Sequence, residues 1–268
     1  MRKKICRFTM LILVIGIVLS ACGDRSQSDT GQEYHEKGLI ISGGEKGKDW
    51  AYENSRILLI MGDQITIRGI AEADLKIECT DASQLTISDL KQGENQMYIL
   101  AYEDFTLNLM GNSELASIKG LESMTIRGAE KDAQLLLHDH VSGEILNIDQ
   151  ANVTAARFSA NKDINLTGAS VITAKRMSGQ TKEPSIARIW AMGKITINLK
   201  PGGSLQVEDT KDILALSAEE NLILGENNKI LMPQNGEIIK DFLEGAAIYD
   251  LQDEDATDVL IRNTAEEK

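Results

Sequence analysis

A short apolar, polar, apolar pattern returns along the chain as Ile65-Thr66-Ile67, Leu85-Thr86-Ile87, Phe105-Thr106-Leu107, Met124-Thr125-Ile126, Leu146-Asn147-Ile148, Ile164-Asn165-Leu166, Ile195-Thr196-Ile197 and Leu222-Ile223-Leu224. The steps between first members are 20, 20, 19, 22, 18, 31 and 27 residues. Alternation with period two turns the outer residues to one side and the middle residue to the other, which predicts short strands with one buried face. In most repeats a second alternating stretch follows a polar turn: Leu75-x-Ile77, Leu115-x-Ser117, Leu135-x-Leu137, Val153-x-Ala155, Val171-x-Thr173 and Leu205-x-Val207. No long window keeps the i, i+3, i+4 stripe of a helix, and Glu237 to Leu243 comes nearest.

Strands this short cannot bury their apolar faces alone, and their return at a nearly fixed period predicts repeat stacked on repeat. The expected fold is all-β: a parallel β-helix over 39–245 of about eight coils of about twenty residues, near 40 Å long at about 4.8 Å per coil. The middle residues Thr66, Thr86, Thr106, Thr125, Asn147, Asn165 and Thr196 then form an outward ladder. Open solenoid ends need closing. Asp49 to Asn54 with Ile57 to Ile60 suit one end, and 246–268 suits the other, with Ala247 to Asp250 and Asp258 to Ile261 as two strands across an acidic turn.

The first residues read differently. Met1-Arg2-Lys3-Lys4 with Arg7 is a positive start, Phe8 to Leu19 is apolar, and Leu19-Ser20-Ala21-Cys22 follows. That order predicts a cleaved export signal over 1–21, since the apolar run falls short of the about 20 residues that span a bilayer. Leu-Ser-Ala-Cys resembles the bacterial lipobox, which implies that Cys22 carries a diacylglycerol and becomes the mature N-terminus. Residues 22–38 are polar and rich in turn formers, and read as a lipidated flexible tether. The expected location is extracytoplasmic, held to the membrane by lipid. Cys6 leaves with the signal, so only Cys79 is left as a thiol and no intramolecular disulfide is available. Its place in Leu75-x-Ile77-x-Cys79 predicts a small buried hydrophobe.

Charge narrows the partners. The whole chain carries −13, and loss of Arg2, Lys3, Lys4 and Arg7 with the signal takes this to −17. Such an acidic surface opposes binding to nucleic acid or to anionic lipid, and favours solubility and cations or neutral polymers as partners.

Trp50-x-Tyr52-x-Asn54 leading into Leu58-x-Ile60, the repeated Ile-Thr-Ile-x-Gly of Ile65 to Gly69 and its variant at Met124 to Gly128, and the closing Ile248-x-Asp250 with Ala256-x-x-Val259-x-Ile261 resemble the carbohydrate-binding-domain β-helix proteins of clostridia and related Firmicutes, which are often surface lipoproteins. The resemblance implies a right-handed parallel β-helix, distantly similar to pectate lyases, with polysaccharide binding as its role. This chain has fewer Gly-rich turns and more irregular sixth and seventh repeats than that pattern.

Chemistry is sparse. A lyase would need a base and acids holding calcium against a uronate. Arg68 and Arg127 follow the first strands of their repeats, but no spacing marks a calcium pair. No catalytic residue is assigned, no cofactor is expected, and calcium enters only with the lyase reading. His138-Asp139-His140 puts two histidines on one face if the strand from Leu135 continues, without a third ligand. Trp190, Tyr98 and Tyr102 are the candidates for stacking on sugar rings, with Trp190 in the long insertion of the sixth repeat, while Trp50 and Tyr52 belong to the closing unit. The expected function is non-catalytic, membrane-anchored binding of carbohydrate or a cell-wall polymer. The alternatives are a structural or adhesive protein-binding surface protein and a calcium-dependent polysaccharide lyase.

Overall fold

The computed structural model describes residues 32–130, 132–169, 171–177, 187–208, 213–241, 245–250 and 258–265. All lie within the second of two units, Met1–Thr30 and Gly31–Lys268. The expected signal peptide, Cys22 and most of the expected tether therefore fall outside the described residues. The described part is all-β, with strands gathered into a 17-stranded and an 11-stranded sheet, both mixed.

Parallel ladders fill the middle of both sheets. A first stack runs Thr66–Ile70, Gln84–Lys91, Phe105–Met110, Ser123–Gly128, Ile145–Asp149, Ile164–Thr167, Lys194–Asn198 and Asn221–Leu224, each parallel to the next. A second runs Asn112–Leu115, Gln134–Leu137, Asn152–Ala155, Val171–Ala174 and Ser204–Val207, joined to the first through Glu114 opposite Lys91. A third, in the smaller sheet, runs Ile57–Ile60, Leu75–Cys79, Met97–Ala101, Ser117–Gly120, His140–Gly143, Arg157–Ala160, Ala187–Ala191 and Leu214–Ala218.

Alternation decides which residues are buried. Ile126 is fully buried between Leu107 and Ile148, while Thr125 beside it is half-buried on the outer face. In the third stack Leu58, Ile77, Ile99, Ile118, Val141, Phe158, Ile189 and Leu216 are buried, and the next inward positions are small: Cys79, Ala101, Gly120, Gly143, Ala160, Ala191 and Ala218. Burial pushes the Cys79 thiol up to about 12. A buried neutral thiol is the small hydrophobe that the pattern predicts.

Turn acids tie successive repeats together. Asp63 Oδ1 accepts the Ser83 N–H at 2.6 Å, Asp74 that of Gln96 at 2.9 Å, Asp89 that of Asn112 at 2.8 Å, Asp104 that of Ser123 at 3.1 Å and Asp163 that of Lys194 at 2.7 Å. Each bond satisfies a backbone donor at, or one residue before, the start of a strand. Part of the acidic surplus is thus structural.

Several expectations are corrected. The outward ladder is not continuous: Thr66 faces Thr86, but Thr86 faces Asn108, and Thr106 faces Gln84 and Thr125. Gln84–Lys91 carries a bulge near Asp89, whose φ is 49°. A slip of two residues keeps every side chain on its own face, so the core does not oppose it. Val171-x-Thr173 is out of frame by one. Ile172 and Ala174 stack on Val153 and Ala155, and Val171 is 44% exposed. Of the stretch that comes nearest to a helical stripe, Glu237 to Asp241 belongs to the strand Gly236–Asp241, paired antiparallel with Gly245–Asp250.

The ends differ from the middle. Glu33–Glu36 pairs antiparallel with Leu39–Ser42, and that strand with Thr66–Ile70, so a paired strand lies inside the stretch expected to be tether. Tyr34 explains why, because its ring meets buried Trp50 edge-on at 5.0 Å, and Arg68 bonds Glu33 at 2.9 Å. Trp50–Tyr52 pairs antiparallel with Ile57–Ile60. At the other end Val259–Asn263 pairs antiparallel with Ser204–Val207 and Asn228–Met232, while Gly245–Asp250 joins Leu214–Ala218. The two closing strands therefore serve different sheets and do not pair with each other.

Candidate ligand-binding face

The outward residues of the third stack form three rows across its strands. One row is Lys76, Tyr98 and Ser117, continued by His140 and Arg157. The next is Glu78, Leu100 and Lys119, continued by Ser142, Ser159, Trp190 and Ser217. Beyond the strand ends lie Tyr102, Leu121, Asn161 and Met192.

All three predicted sugar-stacking residues share this face. Tyr98 and Tyr102 are 36% and 38% exposed, and Trp190 is half-buried in register between Ser159 and Ser217. Trp190 does not lie in an insertion. It stands on Ala187–Ala191, held there because Ile189 and Ala191 continue the inward rows begun by Phe158 and Ala160. Four strand steps separate the strands of Tyr98 and Trp190, a span of about 19 Å.

Between them is an open depression of about 270 Å³ over Gly120 and Gly143, with Lys119, Ser142, Ser159 and Asn161 on its walls. Small inward residues keep the floor close to the backbone, and the Ser142 and Ser159 hydroxyls, the Lys119 ammonium and the Asn161 amide present donors and acceptors. Its apolar margin is Leu121 and Met192, 43% and 46% exposed.

Polar contacts fix the Tyr98 and Tyr102 end. The Tyr98 hydroxyl bonds Gln96 Oε1, and burial, then the charges of Asp74 and Asp139, raise its pKa. The Tyr102 hydroxyl donates to Glu78 Oε2 at 3.1 Å, and Lys76 Nζ lies 2.8 Å from Glu78 Oε1. Burial, then that bond, raises the pKa of Tyr102, and the bond to Glu78 raises that of Lys76. Both rings are braced at the tip with a face still in water. Nearby, Lys162 lies 3.0 Å from Glu144, and the bonds from Lys162 and Asn161 hold the Glu144 carboxyl below its ordinary range.

The histidines separate. The strand from Gln134 ends at Leu137, and His140 opens a strand of the other sheet. His138 Nε2 lies 2.7 Å from Glu114 Oε1, and His140 Nδ1 lies 2.9 Å from Asp139 Oδ2. Among the described residues, no three of His, Cys, Asp and Glu gather as a metal-holding group.

The first stack offers a contrasting outer face. Asn165 Nδ2 donates to Asn147 Oδ1 at 2.9 Å, and the depression beside Thr106 and Thr125 has Ser83, Gln84 and Asp104 on its walls. Its single ring, Phe105, is buried. Sequence reasoning missed Lys119, Ser142, Ser159 and Arg157, because only the pairing register shows that they share the outer face of Trp190. No protein-family model, curated protein or solved structure matches the chain.

Proposed function

We propose that the chain is a non-catalytic surface lipoprotein that binds carbohydrate or a cell-wall polymer along the outer face of the third stack. The observation that carries this reading is the common face of Tyr98, Tyr102 and Trp190, with a hydroxyl-lined depression between them. Rings with one face in water and polar neighbours suit contact with sugar, apolar on its C–H faces and polar at its hydroxyls.

The finer fold belongs to the same proposal. The three stacks wind as one right-handed parallel β-helix of about eight coils, with the antiparallel strands closing both ends. Support comes from the parallel pairing of each strand with its counterpart one repeat later. The family resemblance adds the handedness. The N-terminal order of basic, apolar and Leu-Ser-Ala-Cys residues supports export and lipidation at Cys22.

A protein partner is the second reading, favoured by the exposure of Leu121 and Met192 on the same face. A glycan array separates the two. The glycan reading expects retention of polysaccharide by the folded chain, weakened by Trp190→Ala, and no release of unsaturated uronide with calcium present. Failure to retain any glycan, with a cooperative melt intact, would move the weight to a protein partner.

A further inference from the structure

We infer that the polymer taken by this face is anionic, and that the Arg157 guanidinium receives its carboxylate or phosphate. The inference rests on the glycan reading above. Arg157 opens the strand Arg157–Ala160 on the outer face, half-buried. Its Nε is buried without a hydrogen-bond partner, and among the described residues its side chain has no ion pair. A buried charged donor with nothing to bond is unfavourable, and burial of the kind seen here is normally matched by an acceptor. The Nη groups of the same guanidinium are not shut in, and they are the donors that an arriving anion reaches.

The neighbours fit this role. His140 stands opposite Arg157 on one side and is engaged with Asp139 at 2.9 Å. On the other side, one residue before the Phe158 and Ile189 pair, is Arg188, fully buried, with Nη1 donating to the Ala156 carbonyl at 3.3 Å. Glu144, the acid beyond the depression, is paired with Lys162.

Arg157 and Trp190 flank Ser159: one strand step separates Ser159 from Trp190, and two residues along its own strand separate it from Arg157. These offsets are about 4.8 Å and about 7 Å, so a sugar ring against the indole can place an acidic substituent at the guanidinium. The planar fork matches the paired oxygens of carboxylate and phosphate alike. The acidic surplus of the whole chain works against any polyanion, and screening beyond about 8 Å at physiological ionic strength leaves the charges nearest the guanidinium to decide.

The test titrates the full chain with polygalacturonate, its methyl ester and poly(glycerol phosphate). Polygalacturonate should bind about tenfold or more tightly than its ester, the value of one charge-assisted bond. Poly(glycerol phosphate) against polygalacturonate then shows which acid is preferred. Arg157→Gln should abolish the difference from the ester, and Arg157→Lys should restore part of it. Without ligand, Arg157→Gln should leave the melting temperature unchanged or raised, because the lost donor has no partner. Equal binding of polygalacturonate and its ester, with Trp190→Ala still weakening both, would overturn the anion inference and leave the glycan reading standing. A lowered ligand-free melting temperature in Arg157→Gln would assign Arg157 a structural role and also overturn it. Retention of no polymer by the folded chain would overturn both.

Discussion

Tyr34 meets Trp50 edge-on, with ring centroids 5.0 Å apart and planes at 74°. Trp50 is fully buried, and Tyr52 lies 6.4 Å beyond it at 86°. The three rings close the end of the apolar interior where parallel pairing stops. Trp50→Ala should therefore lower stability by about 3–5 kcal/mol, as deletion of a buried aromatic does, while leaving any ligand affinity of the folded chain unchanged. Denaturant unfolding followed beside binding checks both halves.

Burial on alternate residues makes a sharper pair of variants. Ile126→Asp places a carboxylate among Leu107, Ile148 and other aliphatics with no partner, whereas Thr125→Asp places one in water. The first should lose at least about 3 kcal/mol and the second within about 0.5 kcal/mol. Equal losses in the denaturation midpoint would contradict the register.

Cys79 gives stability a dependence on alkaline pH. Its folded pKa is raised to about 12 by burial, against an ordinary value of 9.0. Between these values the unfolded thiol gives up its proton and the folded one keeps it, so the unfolded state binds fewer protons and stability falls as pH rises. The slope is about 1.4 kcal/mol per pH unit from this one group. The difference in unfolding free energy between the native chain and Cys79→Ala, followed from pH 8 to pH 11, should show that decline, and the native thiol should resist alkylation until the chain unfolds.

The turn carboxylates are individually modest. Asp63 accepts both the N–H and the hydroxyl of Ser83, at 2.6 and 3.0 Å. Asp63→Ala should lose about 1–2 kcal/mol, and Asp63→Asn less, since the amide oxygen can still accept.

Periodicity made the strands readable from sequence because the core rewards alternation at every repeat. Ile65 to Ile67 and Met124 to Ile126 announced their inward faces, and both are buried as read. The two-residue slip between Thr86 and Thr106 was hidden, since it exchanges no inward residue for an outward one. Much of the third stack was hidden for a different reason: Gly120, Gly143, Ala160 and Ala191 fill inward positions with little hydrophobic signal. The frame of Val171 failed because Val171 and Ile172 are both apolar, and only stacking on Val153 chooses between them. Of the site, Tyr98, Tyr102 and Trp190 could be named as residue types. That they share one face with Arg157 and Ser159 depends on pairing between residues up to 31 apart.

A binding face that spans several rungs has a signature that a single pocket lacks. Titration of the full chain with an oligosaccharide ladder of a retained polymer measures it directly. Affinity should climb with oligomer length, as each rung adds a weak contact, until the about 19 Å between the strands of Tyr98 and Trp190 is covered, and then level off. Trp190→Ala should flatten the climb. A monosaccharide bound as tightly as the longest oligomer, or a length dependence untouched by Trp190→Ala, would contradict the proposal that this face is where the polymer lies.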